Sequence, residues 1–250
     1  MTARMIHATP SLSPATDPMT KNLFTSALFA GLTAGLLAAL LQFCLVIPLL
    51  LEGELYETGV RTHFAASLDA PVQSPAGPAD GLTQDPSRHL KTIGFSVVAY
   101  TAFALLLVAG MALAERNGHH ITPRSGLMWG ISGFIAMHLA PAVGLPPELP
   151  GTIAAEVAQR QIWWLATVIA TALGLGLITF GNTMVLNVIG IIAIALPHIM
   201  GAPHLDTYFG IAPPELSAHF VTRSLGVAAA SWAVLGFAAA FFWIRGRTAG

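Results

Sequence analysis

The chain has 250 residues, 54% of them hydrophobic and only 9% charged, with a formal net charge of −1 and a pI near 6.7. A soluble domain carries about 25% charged residues, so this chain cannot cover a water-soluble surface and reads as a polytopic, all-α membrane bundle. No basic run or aromatic-plus-Arg platform offers a nucleic-acid surface, and a single cysteine, Cys44, excludes an intrachain disulfide and a zinc set of several thiolates.

Residues 1–18 are polar and rich in Ser, Thr and Pro, without the apolar core of a signal peptide, and read as a disordered extension. Met19-Thr20-Lys21 leads directly into the first apolar run, which makes Met19 a second candidate start. The bundle is expected over 19–250. A bilayer core about 30 Å thick needs about 20 apolar residues in a helix. Six runs qualify: 23–51, 92–114, 126–145, 162–180, 183–200 and 221–244. Only Gly181-Asn182 parts the fourth from the fifth, but their joint length exceeds one membrane thickness and argues for two helices. In the first run, Ala27, Gly31, Gly35 and Ala39 recur every four residues as a small-residue stripe suited to close helix packing. Cys44, inside the same run, reads as a small buried packing residue.

Orientation follows from the flanks, since inner segments hold more Lys and Arg. With both ends inside, Arg4, Lys21, Arg116, Arg124, Arg245 and Arg247 are inner, against Arg61, Arg88, Lys91, Arg160 and Arg223 outside. The inner segments are the shorter ones, and the closing Arg245-Gly-Arg247 fits a stop-transfer flank. Three outer loops follow, 52–91, 146–161 and 201–220, and they hold ten of the twelve acids, leaving Asp17 and Glu115 inside. The stretch 70–80, rich in Pro, Gly and Ser, reads as a flexible surface excursion. Pro146-Pro-Glu-Leu149 recurs as Pro213-Pro-Glu-Leu216. The echo fits either a parallel repeat of helices three-four and five-six, which in transporters can frame a site, or a helix-start signal used twice.

Metal-binding side chains gather on the outer side. Glu52, Glu54 and Glu57 fall within six residues, and on a continuing helix Glu54 and Glu57 share a face and could chelate a divalent cation; solvated loop acids are the plainer reading. Nine histidines are unevenly placed. His138 lies within helix three, where an ionisable group normally faces the bundle interior and marks a pathway; a neutral His bonded to another helix is the competing reading. His198 closes helix five, while His204 and His219 stand in the third outer loop near Asp206 and Glu215. His63 and His89 lie in the first loop. His119-His120, in the short inner loop beside Glu115, fits an inner exit site or a solvated turn. Imidazole with carboxylate or thioether ligands suits Co, Ni, Cu or Zn better than Mg or Ca; Met128, Met137, Met184 and Met200 read mainly as packing. Gln42, Ser96, Thr101, Ser132, Thr167, Thr171, Asn187 and Ser231 could line a path or bond neighbouring helices. The metal set expected is therefore His138, Glu148, His198, Glu215, Glu52, Glu54, Glu57, His204, Asp206 and His219. There is no Gly-rich phosphate loop, nucleophile elbow or His-Glu-x-x-His, so the chain reads as a non-enzyme.

The stretch Leu41-Gln42 through Val46-Ile47-Pro48 to Leu51-Glu52-x-Glu54-x-Tyr56-Glu57 carries a resemblance. So do His138-Leu-Ala-Pro141-x-x-Gly144-Leu-Pro-Pro-Glu148-Leu-Pro-Gly151 and Arg160-Gln161-x-Trp163-Trp164. Together they resemble the CbtA family of predicted cobalt transporters, the likeness running from about Met19 to Arg247. The resemblance implies a bacterial inner-membrane protein linked to cobalt supply for cobalamin synthesis, and a small one-helix, His-containing partner, CbtB. It also implies five spans, one fewer than the six apolar runs. Among the matched positions, Glu52, Glu54, Glu57, His138 and Glu148 are able to bind a metal. The leading expectation is a Co²⁺ permease or its membrane subunit, taking the ion at the outer loops and passing it near His138. Carboxylates would attract the cation and imidazoles would select it. Cobalt is then cargo, and with no nucleotide motif the energy must come from a gradient, the membrane potential or another subunit. The alternatives are a non-transporting metal-binding or assembly protein and, less favoured, a membrane metalloenzyme; a homo-oligomer is open.

Overall fold

The computed structural model describes residues 18–63, 86–207 and 210–248, so residues 1–17 of the expected extension and most of the 70–80 excursion's loop fall outside it. The described residues are helical, with no strand among them. The elements are α1 (Pro18–Leu41), α2 (Ile47–Glu57), α3 (Pro86–Arg116), α4 (Pro123–Phe134), α5 (Ala140–Gly144), α6 (Val157–Phe180), α7 (Met184–Met200) and α8 (Pro214–Thr248). Two five-residue π-turns, Gln42–Val46 and Ile135–Leu139, carry α1 into α2 and α4 into α5 without a break. Six continuous rods result. Five are long and apolar enough to cross a membrane, and the sixth, α7, has 17 residues and spans roughly 25 Å at 1.5 Å per residue. A count of five or six spans thus turns on α7, which sits at the short end of the spanning range.

The rods run back and forth between two ends. The start of α1, the close of α3, the α6–α7 turn and the close of α8 share one, here the terminal end. The opposite, or loop, end carries Glu57, Pro86, Gly144, Met200 and Pro214. Three rods overshoot a bilayer: 39 residues over Met19–Glu57, 31 over Pro86–Arg116 and 34 over Pro214–Arg247, roughly 58, 46 and 51 Å long. Several acids expected in loops therefore stand on helices that project beyond the membrane: Glu52, Glu54 and Glu57 on α2, and Glu215 on α8.

Small residues decide which rods meet. Ala27, Ala30, Ala34 and Ala38 are fully buried, and Gly31 and Gly35 lie so close to the backbone of Thr101 and Val97 that neither has room for a methyl group. The α1 stripe is thus the seam with α3. On the far side of α8, Gly126 and Gly130 meet Gly236 backbone to backbone. Between the seams a core forms around Met111, Val108, Trp232, Leu235 and Trp243. In lipid no hydrophobic force drives this assembly, so close van der Waals contact carries it. α6 and α7 make a separate hairpin: Gly174 packs on Gly190, and the Trp163 indole donates to the Pro197 carbonyl at 3.1 Å. Gly181-Asn182 parts them as expected, with Thr183 capping α7 by accepting from the Leu186 N–H at 3.3 Å.

Two expectations change. α7 pairs with α6, while α4 pairs with α8, so helices three-four and five-six do not form two like hairpins. The Pro-Pro-Glu-Leu segments also differ, since 213–216 opens α8 whereas 146–149 is irregular chain eight residues before α6 begins. Cys44 is exposed rather than buried. It sits in the first π-turn, where the extra residue shifts the facing of the helix that follows.

Candidate metal pathway

His138 is placed by a chain of local causes. Thr122 caps α4 by accepting from the Ser125 N–H at 3.1 Å, the Ser125 hydroxyl accepts from the Thr122 N–H at 2.8 Å, and Pro123 follows at the first helical position. This capping box fixes the start. Near the other end Pro141 has no N–H to give, and the ladder lengthens ahead of it: the Ala140 N–H reaches back to the Ile135 carbonyl. Such π-turns concentrate at functional sites, and this one carries Met137 and His138.

The His138 ring is enclosed by aromatic side chains from three rods. Phe134 of its own helix stacks on it (centroids 6.3 Å, 19°), while Phe103 of α3 (6.2 Å, 75°) and Trp232 of α8 (5.9 Å, 72°) meet it edge to face. Nδ1 is buried without a hydrogen-bond partner among the described residues, as is Trp232 Nε1. An unpaired buried polar group costs about 1–3 kcal/mol. This site therefore holds a lone pair or N–H that a dry core would not choose. Met137 packs partly buried against the core, whereas Met128, Met184 and Met200 are exposed, which fits lipid-facing side chains. Ser96, Thr167, Thr171 and Ser231 are buried in the bundle; Thr167 donates to its own helix at the Trp163 carbonyl, 2.8 Å away.

At the loop end the three loops meet. Gly53 of α2 touches Leu149 and Pro150, and Gly151 touches Glu57 and Ile211. Gly151 has φ +77°, a conformation an L side chain rarely takes. The carboxylates here divide into two groups. Glu52 pairs with Arg61, Glu54 with Arg88 at 2.5 Å and Glu148 with Arg160 at 2.6 Å. Among the described residues Glu57, Glu156, Asp206 and Glu215 have no ion pair. His198 packs its ring on Trp163 (6.0 Å, 73°), and His204 Nδ1 lies 3.0 Å from the Leu205 carbonyl. His219 stands on the first turns of α8.

The expected residues therefore share one end of the bundle but not one coordination sphere. Among the described residues no three His, Cys, Asp or Glu side chains come together to hold a metal ion, so His138, Glu148, His198 and Glu215 do not converge. The physical reason is plain: His138 lies inside aromatic walls six residues before its rod ends at Gly144, while arginines hold Glu52, Glu54 and Glu148 at the head. The sequence reading missed those arginines as partners and missed Phe103 and Trp232 as the walls. Arg160 lies only 12 residues after Glu148 and opens the next matched stretch, which was a usable signal. Nothing local tied Trp232 to His138.

A family model described as "Probable cobalt transporter subunit (CbtA)" matches residues 20–244. No curated protein and no solved structure matches the chain.

Proposed function

Because the chain belongs to the CbtA family of probable cobalt transporter subunits, we propose that it is the membrane channel of such a transporter, with His138 as the station through which Co²⁺ crosses the bundle. The observation that carries this reading is the buried, unpartnered imidazole nitrogen held in a π-turn between three rods. Imidazole nitrogen suits late first-row divalent ions, and an ionisable side chain at this depth normally marks a path. The unpaired carboxylates Glu57, Asp206 and Glu215, with His198, His204 and His219 beside them, gather the cation at the loop end and raise its local concentration. Glu52, Glu54 and Glu148, already neutralised by arginine, hold α2, α3 and the second loop in place and exchange onto the ion only in transit.

The terminal end carries Lys21, Arg116, Arg124, Arg245 and Arg247 against one described carboxylate, Glu115. That asymmetry supports a cytoplasmic terminal end in a bacterial inner membrane, with the loop end outside. A small one-helix, His-containing CbtB-like subunit is the partner expected of the family, and cobalamin synthesis is the use of the cargo. The reaction is passage, with no bond made or broken in a substrate. Proteoliposomes holding the purified chain, with and without the small subunit, test it by ⁵⁷Co²⁺ uptake against empty vesicles. Uptake above the empty vesicles supports a transporter. Binding of ⁵⁷Co²⁺ without internalisation in either preparation makes the chain a metal-holding protein instead.

A further inference from the structure

The terminal end contains a cavity of about 590 Å³ lined from three rods: Met19 and Asn22 of α1, Ala112, Glu115 and Arg116 of α3, and Trp243, Gly246 and Arg247 of α8, with Gly118, His119 and His120 of the α3–α4 turn. Its frame is firmly tied. Asn22 donates to the Trp243 carbonyl at 3.1 Å and accepts from Ser26 at 3.1 Å, and Gly246 approaches Asn22 so closely that a side chain there has no room.

The position of the two histidines beside a carboxylate invites a cation, but the charges decide otherwise. Glu115 is the only carboxylate lining the cavity, and its charge is already paired: the Trp243 indole donates to its Oε2 at 2.9 Å and Arg247 forms an ion pair with the same oxygen. The exposed carbonyls at the close of α3, which would favour a cation, are also satisfied. Gly118 N–H reaches the Glu115 carbonyl at 2.9 Å and His119 N–H the Ala114 carbonyl at 3.1 Å, through a turn with Gly118 at φ +86°. Arg116 and His120 line the cavity with no partner among the described residues, and the Arg247 guanidinium keeps donors beyond its pair with Glu115. His119 turns its ring to Phe180 instead (4.9 Å).

We infer that this cavity is an anion site for a phosphate group, presented by the headgroup of an anionic phospholipid. A guanidinium offers a planar fork of donors matched to phosphate oxygens, and basic pockets between helices at one membrane face take anionic headgroups. Trp243, near the end of a membrane rod, is of the residue type enriched where headgroups lie. Lys21 and Arg245, each next in sequence to a lining residue, add to the positive charge of this end. The inference is independent of cobalt passage.

Native mass spectrometry of the detergent-purified chain tests it, with phosphatidylglycerol and phosphatidylcholine offered at equal concentration and inorganic phosphate as a third arm. The chain should retain phosphatidylglycerol over phosphatidylcholine about fivefold. Arg116→Gln should remove the preference and Arg116→Lys keep most of it, while Arg124→Gln, a cation at the same end outside the cavity, should leave it unchanged. Arg116 is exposed and unpaired, so these variants keep the fold, and an unchanged melting temperature checks that. Displacement of phosphatidylglycerol by millimolar inorganic phosphate would assign the site to the phosphate group alone; no displacement assigns it to the lipid. Equal retention of both lipids, or equal losses in Arg116→Gln and Arg124→Gln, would overturn the inference.

Discussion

An imidazole ring walled by Phe103, Phe134 and Trp232 is an expensive way to build a packing contact, because phenylalanine would fill the same space with no polar atom to satisfy. His138→Phe should therefore leave the melting temperature of the purified protein unchanged or raise it, within the about 1–3 kcal/mol that an unpaired buried polar group costs. A fall of several degrees would show that the imidazole has a structural partner. At the loop end, Glu148→Gln frees Arg160 from its ion pair and adds no new packing. The pair is partly exposed, so its loss should change stability by less than about 1 kcal/mol, measured as the shift in melting temperature. At this scale the sequence singled out the ionisable residues but not their partners. His138 announced itself as a lone ionisable group in an apolar run. The arginines that neutralise Glu52, Glu54 and Glu148 did not, because two of the three pairs are made across 12 and 34 residues.

Among the elements, the seams made of small residues are the most sensitive. Gly236 lies against the backbone of Gly126 and Gly130, so neither partner can move aside without parting α8 from α4. Gly236→Leu should destabilise the protein by more than the about 1–3 kcal/mol usual for overpacking, visible as loss of monodisperse protein on size exclusion. Gly94→Leu, on α3 with open space around it, is the control and should be tolerated. The α6–α7 hairpin depends on fewer ties. Trp163→Phe removes the bond to the Pro197 carbonyl and should lower stability by roughly 0.6–1.7 kcal/mol, the range for polar contacts between membrane helices, again by thermal unfolding. Hydropathy placed all six rods, since the need for about 20 apolar residues is set by the bilayer. It could not place their ends, because α2, the start of α3 and the start of α8 continue as helices past the membrane in polar sequence. The two π-turns were equally hidden. Each precedes a proline, Pro48 or Pro141, yet a proline signals only an interrupted ladder and not which form the interruption takes.

For the whole molecule, the layout is a gradient of side-chain chemistry along the bundle axis. Unpaired carboxylates and histidines stand at the loop end, one enclosed imidazole lies within, and cations crowd the terminal end. Composition and the histidine pattern made the sidedness legible, but not the separation between the head and His138, which depends on rods longer than the bilayer is thick. If the acidic head concentrates the ion, uptake at sub-saturating Co²⁺ should fall as ionic strength rises and the Debye length shrinks from about 30 Å at 0.01 M to about 8 Å at 0.15 M. The rate at saturating Co²⁺ should stay unchanged. The central claim, that cobalt crosses at His138, is tested most directly by ⁵⁷Co²⁺ uptake into proteoliposomes carrying either the natural chain or His138→Phe, matched for melting temperature and amount inserted. The account predicts a loss of roughly tenfold or more in the variant. Equal uptake by the two preparations would contradict it.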